Sequence, residues 1–561
     1  MRRQVEPWLV AALLALLVVW GVALRLEDPL STRALAAEDP YTHVVFTKEW
    51  MEQGYFADSF HLGTTMYPPG MHAFLAVFAP FTGISLYHIA RIAPAILGGL
   101  AVLGMYAVGA RYANRAAGLA AAFATAIMPE HIFRTELLFP TAFDLALLPL
   151  WLLAFHMMLH EQPRAGAILF AGASIPLAVM HPWAVPLFGG PLVLFACLRA
   201  LRRHQAARAT MRDLVLPVGL VVLATSFAMA FRWNTSDTGF ADFAAKVPGL
   251  AGLASWELPG PLAFFLVLPM LGAVAALGII LVSSVSSWRI PRAMRIGASV
   301  LVGAALLALI FPLTRNLPLD VDYDEMLGPI ALALGLAGFA LAFARPTALG
   351  DLGVSIAAFL FPLTALDLFG SPYWPQRTVA YLCVGVALLA ANVVGQLYES
   401  HALFARSEGA RRVAGPAVVI AFSLVAAGSV AAMPVDTYEW YRLYEKNPGG
   451  PDAALRGFEQ ASAIVSADPN AKVFIFAWQP ALMVKTLADP EHVWYSPKFF
   501  GDGGTRSAQI GDANGPAYIL VDHFTREAAA KGKADLGFLN DGSKYRTVLN
   551  EGGVLLYEVV R

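Results

Sequence analysis

Ala36-Ala37-Glu38-Asp39-Pro40-Tyr41-Thr42-His43 sets two carboxylates and an imidazole just beyond the first apolar segment of a 561-residue chain. Asp39 followed by Pro40 is a helix-start pair, with the carboxylate accepting from free backbone N–H groups and proline at the first helical position. A short helix from Pro40 to Gln53 places Asp39 and His43, four residues apart, on one face. Two readings fit these residues. In one, Asp39 is a cap and nothing more. In the other, the lone pairs that a cap leaves unused meet a metal ion or an acceptor's proton.

Outward from this motif the chain is that of a membrane protein. It is 58% hydrophobic and 14% charged, too apolar for a soluble domain. Arg2 and Arg3 precede an apolar run from Trp8 to Leu24, and Arg25-Leu26-Glu27-Asp28 offers no small-residue cleavage site, so this run is read as an uncleaved first span. Residues 25–86 form a large first outer loop carrying the acidic motif and Tyr67-Pro68-Pro69-Gly70-Met71-His72. Further apolar runs at 87–110, 116–128, 140–159, 165–180, 183–198, 214–231, 261–282, 296–312, 326–343, 352–369, 378–394 and 413–432 bring the expected total to about thirteen spans. Arginines concentrate in every second connector, at Arg111, Arg164, Arg202, Arg292, Arg345 and Arg411, which places those connectors and the N-terminus in the cytoplasm. The acidic motif then faces outward. Cys197 and Cys383 lie inside apolar runs and predict neither a disulfide framework nor a thiolate metal site. From residue 433 the composition becomes that of a soluble α/β domain, with helices expected over 452–465 and 480–487 and strands over 472–477, 517–521 and 553–560. The expected architecture is a polytopic α-helical domain, 1–432, followed by an extracytoplasmic α/β domain, 433–561.

Three more clusters fall on the outward side. Pro129-Glu130-His131-Ile132-Phe133-Arg134-Thr135-Glu136 crowds ionisable groups near membrane depth, where they are costly and mark sites or pathways. Asp39, Glu130, His131 and Glu136 are the candidate ligands of a divalent metal, Mg²⁺ or Mn²⁺; the plain alternative is a hydrated loop whose Arg134 pairs with its own glutamates. His181, in Met180-His181-Pro182-Trp183, is a candidate lining residue or a member of an interfacial aromatic belt. Arg377 follows Ser371-Pro372-Tyr373-Trp374-Pro375-Gln376. Its guanidinium suits a lipid-linked phosphate or pyrophosphate, where a snorkelling arginine would be the bland reading. Asp320, Asp322, Asp324 and Glu325 lack calcium-loop spacing and read as a solvated turn.

These motifs resemble the GT-C superfamily of membrane glycosyltransferases, and in overall plan the oligosaccharyltransferase catalytic subunits. Glu38-Asp39-Pro40-Tyr41-Thr42-His43 is similar to the family's first acidic motif, which implies that Asp39 binds metal or meets the acceptor. Phe133-Arg134-Thr135 resembles the Arg-Thr before the second acidic motif, whose paired acids fall here on Thr141 and Phe143, so that Glu130, Glu136 or Asp144 stands in for them. Gln376-Arg377-Thr378-Val379-Ala380-Tyr381 resembles the helix start that grips the donor phosphate. Ala477-Trp478-Gln479-Pro480-Ala481 occupies the place of the acceptor-reading Trp-Trp-Asp-Tyr-Gly motif, keeping one Trp and not its Asp.

The resemblance implies transfer of a sugar or oligosaccharide, with inversion and metal assistance, from a polyprenyl-phosphate or pyrophosphate carrier to an extracytoplasmic glycan, lipid or protein acceptor. Asp39 would be the catalytic carboxylate and Arg377 the phosphate ligand, with Glu38, His43, Tyr67, Arg134, His181 and Trp478 lining the site. The reading places the protein in the plasma membrane and involves no nucleic acid. An oligosaccharyltransferase acting on protein asparagine is the alternative acceptor reading. A lipid or solute transporter is the rival class; its signature of paired repeats and broken helices at mid-membrane depth is not evident in the sequence.

Overall fold

Proline in the first turn opens several helices, where its missing N–H leaves no bond unmade, and small polar side chains cap others. Pro129, Pro140, Pro163 and Pro329 serve in the first way. Ser85, Asn114 and Thr347 serve in the second, accepting from the backbone N–H of His88, Ala117 and Gly350. The computed structural model describes residues 7–53 except 36, 69–202 except 182, 219–224 except 222, 323–364 except 362, 374–404, and 444–561 except 445, 448 and 489–491.

Among these residues the chain runs α1 (Pro7–Ser31), α2 (Glu38–Gln53), α3 (Pro69–Thr82), α4 (Leu86–Tyr112), α5 (Arg115–Ile127), α6 (Pro129–Glu136), α7 (Pro140–His160), α8 (Pro163–Met180), α9 (Ala184–Arg202), α10 (Tyr323–Leu327), α11 (Pro329–Ala344), α12 (Ala348–Leu360) and α13 (Trp374–Phe404). Five helical stretches are long and apolar enough to cross a membrane: α1, α4, α7, α8 and residues Thr378–Ser400 of α13. Two further pairs qualify only when taken together, α5 with α6, bent by 66°, and α11 with α12, bent by 119°. The expected runs at 214–231, 261–282, 296–312 and 413–432 lie wholly or largely outside the described residues. The α11–α12 bend falls at the Arg345 connector expected between the runs 326–343 and 352–369, and α6 forms a helix where a loop was expected.

The α5–α6 break has a specific partner. A helix that ends at Ile127 leaves its last carbonyls without intrahelical donors, and Arg25 of α1 supplies them, giving Nη2–H to Thr125 O at 3.1 Å and Nη1–H to Ala126 O at 3.2 Å. The same guanidinium reaches Thr135 Oγ1 at 2.6 Å, Gly21 O at 2.7 Å and His131 Nδ1 at 2.9 Å. Arg25 is fully buried. Its path crosses α4 at Gly98, where a Cβ would lie 2.3 Å from Arg25 Nε, so the sequence can afford no side chain there.

Helix polarity separates two ends of the bundle. At one end, Arg111 pairs with Glu161, Arg199 with Asp351 at 3.2 Å, and Arg345 with Ser400 at 2.8 Å. The other end carries α2, α3 and the first turns of α7 and α13. Above it lies the C-terminal sheet, in the order β2-β1-β3-β5-β4, from β1 (Lys472–Ile475), β2 (Val493–Tyr495), β3 (Ala517–Val521), β4 (Tyr545–Glu551) and β5 (Val554–Val559). Strands β2, β1 and β3 are parallel, and β5 and β4 continue antiparallel. The helices α14 (Gly450–Ser466), α15 (Trp478–Leu487), α16 (Gly503–Asp512) and α17 (His523–Ala530) complete it. The sequence patterns missed β2 and β4. Strand β2 has three residues, and β4 alternates poorly because most of its side chains are only partly covered.

The sheet region and the first loop share a core. Tyr41, Val44 and Val45 of α2, with Met71 and Leu75 of α3, are buried in the same apolar cluster as Leu455, Phe458, Ile475 and Leu482. Polar contacts fix the register. Lys48 Nζ donates to Thr486 O at 2.5 Å and Lys485 O at 3.4 Å, capping the C-terminal turn of α15, and Lys485 Nζ pairs with Glu49 Oε1 at 3.2 Å. Asp452 at the start of α14 accepts from Arg33 N at 2.6 Å.

Truncating Arg25 to alanine would strand the carbonyls of Thr125 and Ala126 in an apolar bundle. We expect Arg25→Ala to destabilise the protein by about 3 kcal/mol or more, read as a lowered unfolding temperature in detergent. Gly98→Ala, which evicts the same side chain, should also destabilise, and the double variant should lose less than the sum of the two.

Candidate active site

Helix α2 begins at Glu38, two residues earlier than the sequence suggests, so Glu38 and Asp39 occupy its first turn. Asp39 is therefore not the residue outside the helix that a simple cap requires. Carboxylates in a first turn are favoured by the unpaired N–H groups and the dipole there. Asp39 is exposed. Glu38 is half-buried against the start of α15, where Gln479 Nε2–H donates to its Oε2 at 3.1 Å and Trp478 is a second hydrogen-bond partner. Burial raises the Glu38 carboxyl above its ordinary range and Asp39 adds to the rise, while Gln479 and Trp478 oppose it.

One turn further along α2, His43 is buried against His72 of α3, with Nδ1 and Nε2 3.2 Å apart and ring centroids at 5.3 Å. One ring donates and the other accepts, so the pair holds at least one neutral imidazole. Burial drives His43 well below its ordinary range, and the nearby His72 and His181 push it the same way. His72 sits three residues after the start of α3. That helix packs so closely on the end of α8 that a Cβ on Gly70 would lie 2.8 Å from the backbone of Val179 and Met180.

His181, the C-cap of α8, completes a second buried group. Its Nδ1 lies 2.8 Å from Asp144 Oδ2 and 2.9 Å from the Tyr381 hydroxyl, and Tyr381 donates to Asp144 Oδ2 at 2.6 Å. Asp144 projects from the second turn of α7 and Tyr381 from the second turn of α13. Asp144 is fully buried, and its Oδ1 has no hydrogen-bond partner among the described residues. Arg377 is one helical turn before Tyr381 on α13; its side chain lies outside the described residues, as does Tyr67.

The α6 cluster is tied up locally. Glu130 Oε1 accepts from Arg134 Nε at 2.7 Å, and the Arg134 guanidinium lies 5.2 and 5.5 Å from the ring centroids of Phe133 and Phe139. His131 accepts from Arg25, and Glu136 lies within electrostatic reach of the same guanidinium. Among the described residues no three His, Cys, Asp or Glu side chains gather to hold a metal ion. The set Asp39, Glu130, His131 and Glu136 is thus not assembled as ligands: Arg134, one turn on in the same short helix, satisfies Glu130, and Arg25 claims His131. Cys383 is a free, buried thiol.

The sequence reading named His181 without its partners. Tyr381 stood within the quoted Arg377 motif, four residues on, and helical spacing alone would have put the two on one face. That His72 meets His43 depends on a contact between separate helices and had no local signal.

No family model matches the chain and no curated protein matches it. Solved structures do. An archaeal oligosaccharyltransferase, AglB from Archaeoglobus fulgidus, in complex with an inhibitory peptide and a dolichol-phosphate, aligns over 97% of this chain and 72% of its own, at 15% identity and a TM-score of 0.53. The same enzyme tethered to an acceptor peptide containing the NVT sequon gives 15% identity and a TM-score of 0.54 over the same shares. ArnT from Cupriavidus metallidurans bound to undecaprenyl phosphate aligns over 99% of both chains at 13% identity, with a TM-score of 0.41. The fold is similar to that of the archaeal oligosaccharyltransferase AglB over nearly the whole of this chain.

The raised Glu38 carboxyl sets a sign. A group that binds its proton more tightly when folded contributes stability that is complete below its unfolded value and is lost as pH rises through its folded value. At neutral pH the glutamate therefore opposes the α2–α15 contact. Glu38→Gln should unfold at the same temperature as the wild type or higher at pH 7, and its advantage should vanish as the pH is lowered towards 4.5, the ordinary carboxyl value, in scanning fluorimetry.

Proposed function

We propose that the protein is a membrane glycosyltransferase moving a sugar or oligosaccharide from a polyprenyl-phosphate or pyrophosphate carrier to an acceptor on the extracytoplasmic face. The observation that carries this is the position of the Glu38-Asp39 helix start beneath Trp478 and Gln479, in a chain with the AglB fold. The similar oligosaccharyltransferase structures hold a dolichol-phosphate and an acceptor peptide, which supports a lipid-linked donor and a separate acceptor.

The site has two sides. The acceptor side is formed by Asp39 and the start of α15, and the donor side by the first turns of α7 and α13. The acceptor enters beside Trp478, and Asp39, exposed in its helix turn, takes the proton of the attacking group. Arg377 grips the donor phosphate, whose negative charge grows as the sugar carbon leaves it. Attack from the side of Asp39 on a carbon held from the side of Arg377 inverts that carbon. Helix α3 carries no charged side chain and leaves Val77 and Phe81 exposed beside the equally exposed Ile84, so the lipid tail reaches the site along this flank. A divalent metal would need ligands beyond those the described residues assemble.

The broken α5–α6 span would suit a transporter if its freed carbonyls met a cargo ion. Arg25 already occupies those of Thr125 and Ala126, which favours the enzyme.

Asp39→Asn should lower turnover by about a hundredfold or more while the unfolding temperature stays near that of the wild type. Arg377→Ala should raise the donor KM and lower kcat together, with lysine restoring only part because it loses the two-pronged contact. Full activity in Asp39→Asn would remove the assignment. Cysteines introduced near Ser507 should react with an impermeant thiol reagent from outside intact cells, and those near Arg203 should not.

A further inference from the structure

We infer that His181, held by Asp144 and Tyr381, is the group that hydrogen-bonds the donor phosphate and protonates it as it departs. This rests on the reading of the site as a lipid-phosphate glycosyltransferase and adds the residue that meets the leaving group.

A buried carboxylate with one oxygen unsatisfied is costly unless a cation sits on the other. Here Asp144 Oδ2 accepts from Tyr381 and faces His181 Nδ1 at 2.8 Å, so the arrangement is stable when His181 is an imidazolium giving Nδ1–H to Asp144. Fixing Nδ1 in this way leaves Nε2–H on the opposite edge of the ring, and among the described residues no hydrogen bond is made to Nε2. The ion pair is neutral as a whole and can stand buried; its outer pole is a hydrogen-bond donor.

The place of that pole identifies the partner. Tyr381 ties the pair to α13 one turn inside Arg377, so His181 stands on the donor side. The other titratable groups facing it are His43 from α2, which senses His181 electrostatically, and His72 behind it on α3. Arg134 of α6 lies toward Tyr381. Arg134 is already balanced by Glu130, which leaves His181 Nε2 as the donor an anion would meet.

The step balances. The bond between the sugar carbon and the phosphate oxygen breaks with both electrons to that oxygen, while the carbon bonds to the acceptor. The acceptor's proton passes to Asp39 and the His181 Nε2 proton passes to the phosphate. Neutral His181 and protonated Asp39 then exchange with solvent to restore the starting state.

The test is equilibrium binding of a polyprenyl phosphate to the full chain in lipid nanodiscs, with polyprenol as the control. The wild type should bind the phosphate about tenfold more tightly than His181→Gln, the worth of one charge-assisted hydrogen bond. Both proteins should bind polyprenol alike. Asp144→Asn, which keeps the shape and removes the counter-charge, should weaken phosphate binding in the same direction; it also supplies the test if His181→Gln folds poorly. Equal phosphate affinity of folded wild type and both variants overturns the inference and leaves the glycosyltransferase reading standing. A wild type that binds no polyprenyl phosphate overturns both.

Discussion

The contact between α2 and α15 is the constraint on which the site depends. Helix α2 belongs to the first loop and α15 to the C-terminal sheet, more than four hundred residues on in sequence, and their two ends are pinned by different chemistry. At the far end Lys48 caps the last carbonyls of α15 while Lys485 and Glu49 form a buried pair. Burial lowers the Lys485 amine and Glu49 raises it, so the pair adds register more than stability. At the near end the same alignment lays Trp478 and Gln479 on Glu38. The apolar cluster shared by α2, α3, α14 and the sheet supplies the bulk of the attachment.

Beneath that contact, a second constraint acts inside the bundle. Arg25 joins the end of α1 to the break between α5 and α6. A membrane interior offers no water to the carbonyls of a broken helix, so a 66° turn needs a donor from the protein. With the turn fixed, α6 lies at the foot of α7, and the second turns of α7 and α13 come together at Asp144 and Tyr381. The arginine is structural, yet the site would lose its floor without it.

The resulting site separates two kinds of charge. Carboxylates Glu38 and Asp39 sit in a helix turn under a covering domain, open enough for a polar acceptor. Asp144 is sealed with a histidine and a tyrosine on the side where a lipid phosphate would lie. A transfer reaction needs a proton taken at one place and negative charge stabilised at another, and a site whose two carboxylate environments differ this much can hold both.

The sequence by itself determined what depends on neighbours along the chain. Apolar runs announced the five to seven stretches among the described residues that are long and apolar enough to cross a membrane, arginine spacing matched one end of the bundle, and Asp-Pro announced a helix at α2 to within two residues. The resemblance of the 38–43 and 376–381 stretches gave the class, and the fold agrees with it. Tertiary structure decided which polar residues share a pocket. Glu130 and His131 looked like ligands because they are crowded in sequence, but a helical turn and Arg25 use them up. Asp144, His181 and Tyr381 come from three helices, separated by 37 and 200 residues, and no local pattern joins them. A buried carboxylate's partners are set by which helix ends pack together, and that is a property of the assembled bundle.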